Sequence, residues 1–170
     1  MQRVTALLTM NPREYNECVT RYSDAVYRFI VANLKDEEDA QDVVQNAFEV
    51  LWKNSYKVEF DKAKSYLFTV AYRDMIDFIR KHKRKLPLEE HHEIIAATEN
   101  PYTGTTQIIG CFLKRLPEVQ QHILMLRDYE GYDYKTIGEI TGLNESQVKV
   151  YLFRARTALK KLIVKKENVL

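Results

Sequence analysis

Side chains that could contact the edges of DNA bases, most of them polar or cationic, are concentrated near the start of residues 145–166. Ser146, Gln147, Lys149, Val150 and Arg154 fall on or beside one face of a predicted helix. The stretch contains seven lysines and arginines and one acid, which gives a net charge of +6. Polar and cationic side chains near a helix N-terminus, followed by a basic continuation, are typical of a helix that reads the major groove. These five residues are therefore candidate contacts with duplex DNA.

The elements that must position these side chains have the signals of a helix-turn-helix unit. Asp133 can cap a first helix, and Gly142 can end it in the left-handed conformation. Asn144 and Gln147 have the spacing of a capping box at the start of the second helix. A core-facing stripe then follows at helical spacing: Val148, Leu152, Ala155, Leu159 and Leu162. An amphipathic helix in an ordinary bundle is the alternative interpretation.

Composition indicates an almost wholly helical chain with an uneven charge distribution. The 170 residues include only 5 Gly and 4 Pro, and they suffice for one domain or two small ones. Residues 36–61 hold eight acids and two lysines, residues 62–85 hold eight bases and two acids, and residues 86–107 hold four acids without Lys or Arg. Alternating acidic and basic blocks suggest separate partners, although solvated helix faces would explain each block singly.

Three helices are predicted in the first half of the chain. The first begins behind an Asn11 cap and ends near Leu34, the second opens with the acids of residues 36–39, and the third spans residues 62–84 with Asp61 as its cap. The side chains expected to face the core are Tyr15, Cys18, Tyr22, Val26, Phe29, Ile30, Ala40, Val43, Val44, Ala47, Phe48, Leu51, Trp52, Leu67, Ala71, Met75, Phe78 and Ile79.

The second and third helices carry charges beyond what capping needs. The acids at 36–39 either cap the second helix or also meet a basic protein surface. On the third helix, aromatic and basic residues fall outside the core face: Tyr66, Tyr72, Arg73, Arg80 and Lys81. Such interleaving suits single-stranded DNA, since rings stack on bases and cations follow phosphates. A solvated basic helix end is the alternative.

Residues 86–107 interrupt the helical pattern and are interpreted as a linker. They contain Pro87, Pro101 and Gly104. His91 and His92 would point about 100° apart on a helix, which disfavours a shared metal site. A further helix is expected from Pro117 to Gly131. Its inward residues would be Val119, Ile123, Leu126 and Tyr129, and His122 is expected to be packed or exposed rather than catalytic.

The sequence contains no recognisable nucleophile–base pair, metal-ligand cluster or phosphate-binding loop. We therefore expect no cofactor, no metal and no enzyme activity. Cys18 and Cys111 match no metal or redox spacing, and a chain of this size with two thiols suggests a reducing cytoplasm. No apolar run approaches a membrane span, and the start is too short in apolar residues for a signal peptide.

Two blocks of this sequence resemble a known family. Residues 39–48 with Leu51 and Trp52 resemble the polymerase-binding segment of region 2 in bacterial sigma factors, and residues 64–71 and 77–80 resemble its strand-opening segment. The second half, from Leu116 and Pro117 through Glu130 and Gly131 to residues 153–156, is similar to region 4. The order of the blocks, the short chain and the absence of a large domain between them resemble the extracytoplasmic-function (ECF) class.

The resemblance implies a function for each part of the chain. Region 2 would span residues 1–86, a flexible acidic linker 87–107 and region 4 residues 108–170. The linker would thread polymerase channels. The resemblance also implies an anti-sigma factor as a partner, wedged between the domains. Contacts with the β′ coiled coil of RNA polymerase would come from Asp39, Asp42, Gln45 and Phe48. The −10 element would meet Lys57, Phe60, Tyr66, Arg73 and Arg80, and the −35 element Ser146, Gln147, Lys149, Val150 and Arg154.

Several positions depart from the family pattern. Tyr66 stands where tryptophan is usual, which preserves stacking, and Arg73 stands where asparagine is common. Val150 and Tyr151 replace small or basic residues, so the family's −35 sequence does not transfer. Two other functions remain as alternatives: a free-standing helix-turn-helix regulator that binds an operator without polymerase, and a helical adaptor that binds only protein.

Overall fold

The computed structural model describes residues 9–34, 36–85 and 113–167. These residues form the helices α1 (Pro12–Leu34), α2 (Glu37–Lys53), α3 (Ala63–Lys85), α4 (Glu118–Leu124), α5 (Tyr134–Thr141) and α6 (Glu145–Glu167). The helices belong to two compact units, one with α1–α3 and one with α4–α6. The predicted all-α class with two small helical domains is confirmed. The predicted linker at 87–107, with His91 and His92, lies outside the described residues, as does Cys111.

Side-chain caps fix the starts of the first two helices as the sequence predicts. The Asn11 side-chain oxygen accepts from the backbone N–H groups of Arg13 (2.9 Å) and Glu14 (3.0 Å), and the Glu14 carboxylate accepts from the Asn11 N–H (2.7 Å). At α2, the Asp36 carboxylate accepts from the Asp39 N–H at 2.9 Å. Each cap satisfies donors that a helix start would otherwise leave unpaired.

Aromatic contacts among the three helices organise the core of the first unit. The ring of Phe29 lies 5.7 Å from Phe68 and 6.4 Å from Tyr72, measured between centroids. Tyr72 is therefore buried, and the expectation that placed it away from the core is wrong. Its neighbours on α1 and α3 supply apolar surface that sequence periodicity does not reveal.

Trp52 also departs from expectation, because 49% of its surface is exposed. The indole meets the Tyr15 ring edge-on at 4.8 Å, while Leu51 beside it takes the buried position. The Tyr15 hydroxyl donates to the Phe48 carbonyl at 3.1 Å, which holds the phenol ring in place. Trp52 thus covers the edge of the core rather than filling it.

The start of α3 differs from the predicted cap. A 3-10 turn at Phe60–Lys62 leads directly into the helix, and Asp61 lies inside this turn, whose N-cap is Glu59. Val58 and Ala63 are buried on either side of the turn. Burial of these two apolar side chains anchors the connection, so a carboxylate cap is not what sets the boundary.

In the second unit, α4 packs on α6 and continues into a π-helical turn at Met125–Tyr129. Five successive residues, 122–126, are buried. The prediction that Val119 and Tyr129 point inward is wrong, since both are exposed. Val119 precedes the buried run, and the wider π turn rotates Tyr129 out of the α-helical register on which the prediction relied.

Gly138 permits a close approach between α5 and the following turn. Its carbonyl accepts from the N–H groups of Gly142 (2.8 Å) and Leu143 (3.1 Å). A Cβ atom at residue 138 would lie 2.5 Å from the Leu143 carbonyl oxygen. That neighbour is backbone and cannot move without displacing the turn.

We expect Gly138→Ala to destabilise the second unit by about 1–3 kcal/mol, because overpacking strain exceeds the gain in helix propensity. Hydrogen exchange of the α5 and α6 amides in the full chain measures the loss. Glu139→Ala, at the exposed neighbouring position, is the control and should leave exchange unchanged. Equal protection in the two variants would contradict the steric argument.

His122 is buried in α4 with 2% of its surface exposed. Desolvation lowers the pKa of its imidazole to about 4, against a smaller opposing effect of Glu118. His122 therefore takes up a proton near pH 6.5 in the unfolded chain, but only near pH 4 in the folded chain. The contribution of the neutral His122 ring to the free energy of unfolding is fully present above pH 6.5. It is lost as the pH falls from 6.5 to about 4.

We expect the free energy of unfolding to lose about 3 kcal/mol at His122 between pH 7 and pH 4. NMR titration of the imidazole ring measures the effect directly, and His122→Leu identifies its signal among the four histidines. The ring should stay neutral at pH 5. Titration near pH 6.5 in the folded chain would refute the proposed desolvation.

Candidate nucleic-acid interface

The helix-turn-helix unit forms as the sequence predicts. The Asp133 carboxylate accepts from the Thr136 N–H at 2.7 Å, a bond that lowers the pKa of the carboxyl group. Gly142 ends α5 with φ of 76°, the left-handed conformation that glycine adopts without strain. Asn144 and Gln147 form both bonds of the capping box, at 2.8 and 3.0 Å. These contacts set the start and direction of α6.

Along α6, the buried stripe and the outward face lie as predicted. Val148, Leu152 and Ala155 are buried, whereas Leu159 and Leu162 are half-buried. The five predicted −35 residues are all exposed. A concavity of about 270 Å³ is lined by Asn144, Ser146, Gln147, Val150, Tyr151 and Arg154. The structure therefore brings four of the five candidates to one surface depression, with Lys149 beside it.

The capping box restricts what Gln147 can recognise. Its side-chain oxygen already accepts from the Asn144 N–H, which fixes the orientation of the amide and uses one of the two lone pairs of this oxygen. The NH₂ group of the same amide can still donate. Gln147 is thereby suited to acceptors such as purine N7, guanine O6, thymine O4 or a phosphate oxygen.

The Lys149 side chain contacts two neighbouring side chains, and the sequence alone did not predict this pair of contacts. Its ammonium group lies 3.9 Å from the Glu145 carboxylate and 5.6 Å from the centroid of the Tyr134 ring. Arg127 lies 5.0 Å from the same centroid. Tyr134 therefore positions a cation of α6 through a contact between helices, which local spacing cannot reveal.

The middle of α6 is held to the rest of the second unit by an ion pair. Arg156 contacts the Asp128 carboxylate at 2.7 Å, and Asp128 lies in the π-helical turn after α4. The pair is exposed, so its contribution to stability is small. Its geometric effect is to hold α6 against that turn.

In the first unit, three of the predicted −10 residues form a line along α3. Tyr66, Arg73 and Arg80 are spaced by seven residues and therefore share one helix face. This face is opposite the buried Leu67, Ala71 and Met75, and both arginines are exposed. The half-buried phenol ring at one end of the line and the two cations beyond it could serve a base and a phosphate backbone.

The loop before α3 supplies the remaining two −10 candidates. The Lys57 ammonium lies 4.9 Å from the Tyr56 ring centroid, and a hydrogen bond with Tyr56 raises the pKa of Lys57, as does the electrostatic influence of Tyr66. Phe60 is half-buried in the 3-10 turn. The loop and α3 thus present a common set of aromatic and basic groups.

Two residues before α1 fix this loop, a role that no sequence pattern indicated. The Thr9 hydroxyl donates to the Tyr56 carbonyl at 2.6 Å, and the Met10 N–H donates to the Ser55 carbonyl at 3.0 Å. The Met10 side chain is buried, with its sulfur 3.9 Å from the Cys18 sulfur. A buried anchor therefore holds the loop that carries Lys57.

The predicted polymerase-binding residues of α2 divide by exposure. Asp42 and Gln45 are exposed, and Asp39 is half-buried. Phe48 has only 8% of its surface exposed and packs within the bundle. The accessible part of this face is therefore formed by three polar residues, Asp39, Asp42 and Gln45.

Both halves of the molecule match families of known proteins. The profile of sigma-70 region 2 matches residues 18–85, and the profile of sigma-70 region 4 matches residues 106–159. The ECF RNA polymerase sigma factor SigM of Bacillus subtilis (strain 168) is 29% identical over 154 residues, which cover 86% of this chain and 93% of SigM. The chain belongs to the sigma-70 family, in its ECF class.

Other known proteins match this sigma factor over most of their length. RNA polymerase sigma factor SigV of the same bacterium is 28% identical over 152 residues, covering 88% of this chain and 91% of SigV. Sigma factor RpoE of Bartonella quintana, solved in complex with the anti-sigma factor NepR, matches with a TM-score of 0.72 at 21% identity, over 89% of this chain and 97% of RpoE. CnrH, solved in complex with the cytosolic domain of CnrY, matches with a TM-score of 0.66 at 19% identity, over 91% and 90%.

The two profile matches assign the surfaces of this sigma factor to named regions. The acidic face of α2 and the aromatic–basic face of α3 lie within region 2, and the helix-turn-helix unit lies within region 4. Across the described helices, none is both long and apolar enough to cross a membrane.

Proposed function

We propose that this sigma factor directs RNA polymerase to specific promoters and initiates transcription there, without enzyme activity of its own and in the cytoplasm. The observation that carries the proposal is the presence of regions 2 and 4 in one chain, with distinct acidic and aromatic–basic surfaces in the first. An operator-binding regulator would need only the helix-turn-helix unit and would leave both surfaces of region 2 without a function.

Polymerase binding is assigned to the exposed acidic face of α2. Asp42 and Gln45 would make the central contacts with the β′ coiled coil, with Asp39 at the edge. Phe48 would act from beneath, because its burial against the bundle fixes the face rather than contacting a partner. The hydrogen bond from Asn46 to Asp74 joins α2 to α3, so the polymerase-binding and strand-binding helices would be held as one body.

Recognition of the −10 element is assigned to α3 and the loop before it. Tyr66 would stack on an unpaired base, and Arg73 and Arg80 would follow the phosphates. Lys57 and Phe60 would complete the site from the loop. Removing a base from the duplex costs a few kcal/mol, which stacking and phosphate contacts offset. The ion pair of Arg80 with Asp77 at 2.8 Å is exposed, so a phosphate can replace the carboxylate at little cost.

Recognition of the −35 element is assigned to α6 in the major groove. Ser146, Gln147 and Val150 would face base edges, and Lys149 and Arg154 would divide between base edges and phosphates. The α6 N-terminus would lead into the groove, since the concavity lies there.

Domain organisation and regulation complete the proposal. Region 2 would extend over residues 1–86, the linker over 87–107 and region 4 over 108–170. The structure of RpoE with the anti-sigma factor NepR supports an anti-sigma partner for this chain as well. The acidic linker would follow the channels of polymerase that otherwise hold nucleic acid.

In vitro transcription tests the function. Core RNA polymerase, with and without this protein, is given a fragmented library of genomic DNA from the source organism. New start sites that share two sequence motifs at a fixed spacing are the expected result. Binding to duplex DNA without new transcripts would instead indicate an operator-binding regulator.

The polymerase contact yields a separate prediction. Asp42→Arg should weaken binding to core polymerase more than about tenfold, because it places a cation against a basic surface. Affinity is measured with labelled protein, and circular dichroism verifies the helical fold. Glu17→Arg on α1 makes the same charge change at another exposed site and should bind normally. Unchanged affinity of the Asp42 variant would remove α2 from the interface.

A further inference from the structure

The centre of the outward face of α6 is apolar. Val150 is 46% exposed and Phe153 is 72% exposed, and both belong to α6, the longest described helix of the second unit. At about 100° per residue, they point directly away from the buried stripe of Val148, Leu152 and Ala155. Phenylalanine is usually buried, so a ring this exposed at the centre of a binding face is informative.

Polar and basic side chains border this apolar pair on both sides. Lys149, Arg156 and Lys160 lie along one flank of α6, and Gln147, Arg154 and Lys161 lie along the other. A helix with its side chains is about 10–12 Å wide, close to the roughly 12 Å width of the major groove. The cations of the two flanks are thus placed for the two phosphate backbones, and the apolar pair for the floor of the groove. Two cationic borders favour DNA over a protein surface as the ligand.

The floor of the major groove presents one apolar group, the C5-methyl of thymine. Val150 and Phe153 have no hydrogen-bonding atoms in their side chains, so they cannot read donors or acceptors. We infer that Val150 and Phe153 read thymine methyl groups within the −35 element. The inference rests on the proposed function and adds to it the base preference and the residue Phe153.

Each methyl contact should contribute a modest and measurable preference. Burial of one methyl group on a valine or phenylalanine corresponds to about fourfold in affinity. The contact distinguishes thymine from cytosine and from uracil, which lack the methyl group. Replacement of thymine by deoxyuridine removes this group alone and keeps every hydrogen-bonding position.

The experiment uses the holoenzyme and a promoter found in the transcription assay. Each thymine of its −35 element, on either strand, is replaced singly by deoxyuridine, and binding is measured for the wild type, Val150→Ala and Phe153→Ala. For the wild type we expect about fourfold weaker binding at one or more positions. At a position read by Val150, the Val150→Ala holoenzyme should bind thymine and uracil equally, and likewise for Phe153.

Two controls separate this effect from general weakening. Val164→Ala changes the same residue type at similar exposure, 45%, but about 21 Å further along α6, and should retain the wild-type preference. Lys149→Ala should weaken binding to thymine and uracil promoters alike.

The outcome is decided residue by residue. If Val150→Ala or Phe153→Ala keeps the wild-type ratio of thymine to uracil binding at every position, the assignment fails for that residue. If the wild type is insensitive to every replacement, the assignment fails for both residues. Transcription from the unmodified promoter establishes the sigma function independently of either result.

Discussion

The reciprocal hydrogen bonds between Asn144 and Gln147 determine where α6 begins, and every outward side chain of that helix takes its direction from this point. A helix that began one residue later would turn its exposed face by about 100° relative to α5. Gly142 and Gly138 make the box possible, one by its left-handed backbone and the other by leaving room for the Leu143 carbonyl. The proposed DNA recognition by region 4 would therefore depend on backbone geometry before it depends on any base-contacting side chain.

The two units use charge in different ways. In region 2, acids are in excess on α2 and bases are in excess on α3, so one domain would meet a basic protein and an acidic polymer on different faces. Many of its surface acids and bases are paired within their own helix at three- or four-residue spacing, as with Lys53 and Glu49. Such pairs are weak and exchange easily with a partner. Region 4 instead places its cations on α6, where Asp128 and Glu145 hold two of them.

Local signals in the sequence predicted the local structure well. The caps at Asn11, Asp36, Asp133 and Asn144 form, because a cap depends on residues within four positions of each other, whereas the predicted cap at Asp61 does not form. Predictions of burial failed for aromatic side chains whose burial depends on contacts with another helix. Tyr72 is buried by Phe29, and Trp52 is only partly covered by Tyr15. The π-helical turn also escaped prediction, since periodicity assumes one constant helical register.

The interface shows the same division. The outward face of α6 follows from spacing alone, and its five predicted residues are exposed. The supports behind the interface come from distant parts of the chain and left no pattern to recognise. Thr9 and Met10 hold the loop of Lys57, and Tyr134 holds Lys149.

The occupied oxygen of Gln147 has a consequence for redesign of this protein. A substitution there would alter base recognition and the start of α6 at once, so any change of specificity would be confounded by a displaced helix. Val150 and Phe153 carry no such structural duty, and their side chains project from backbone that neighbouring residues already hold. An orthogonal variant with a new promoter preference should therefore be sought by varying these two positions while the capping pair is left intact.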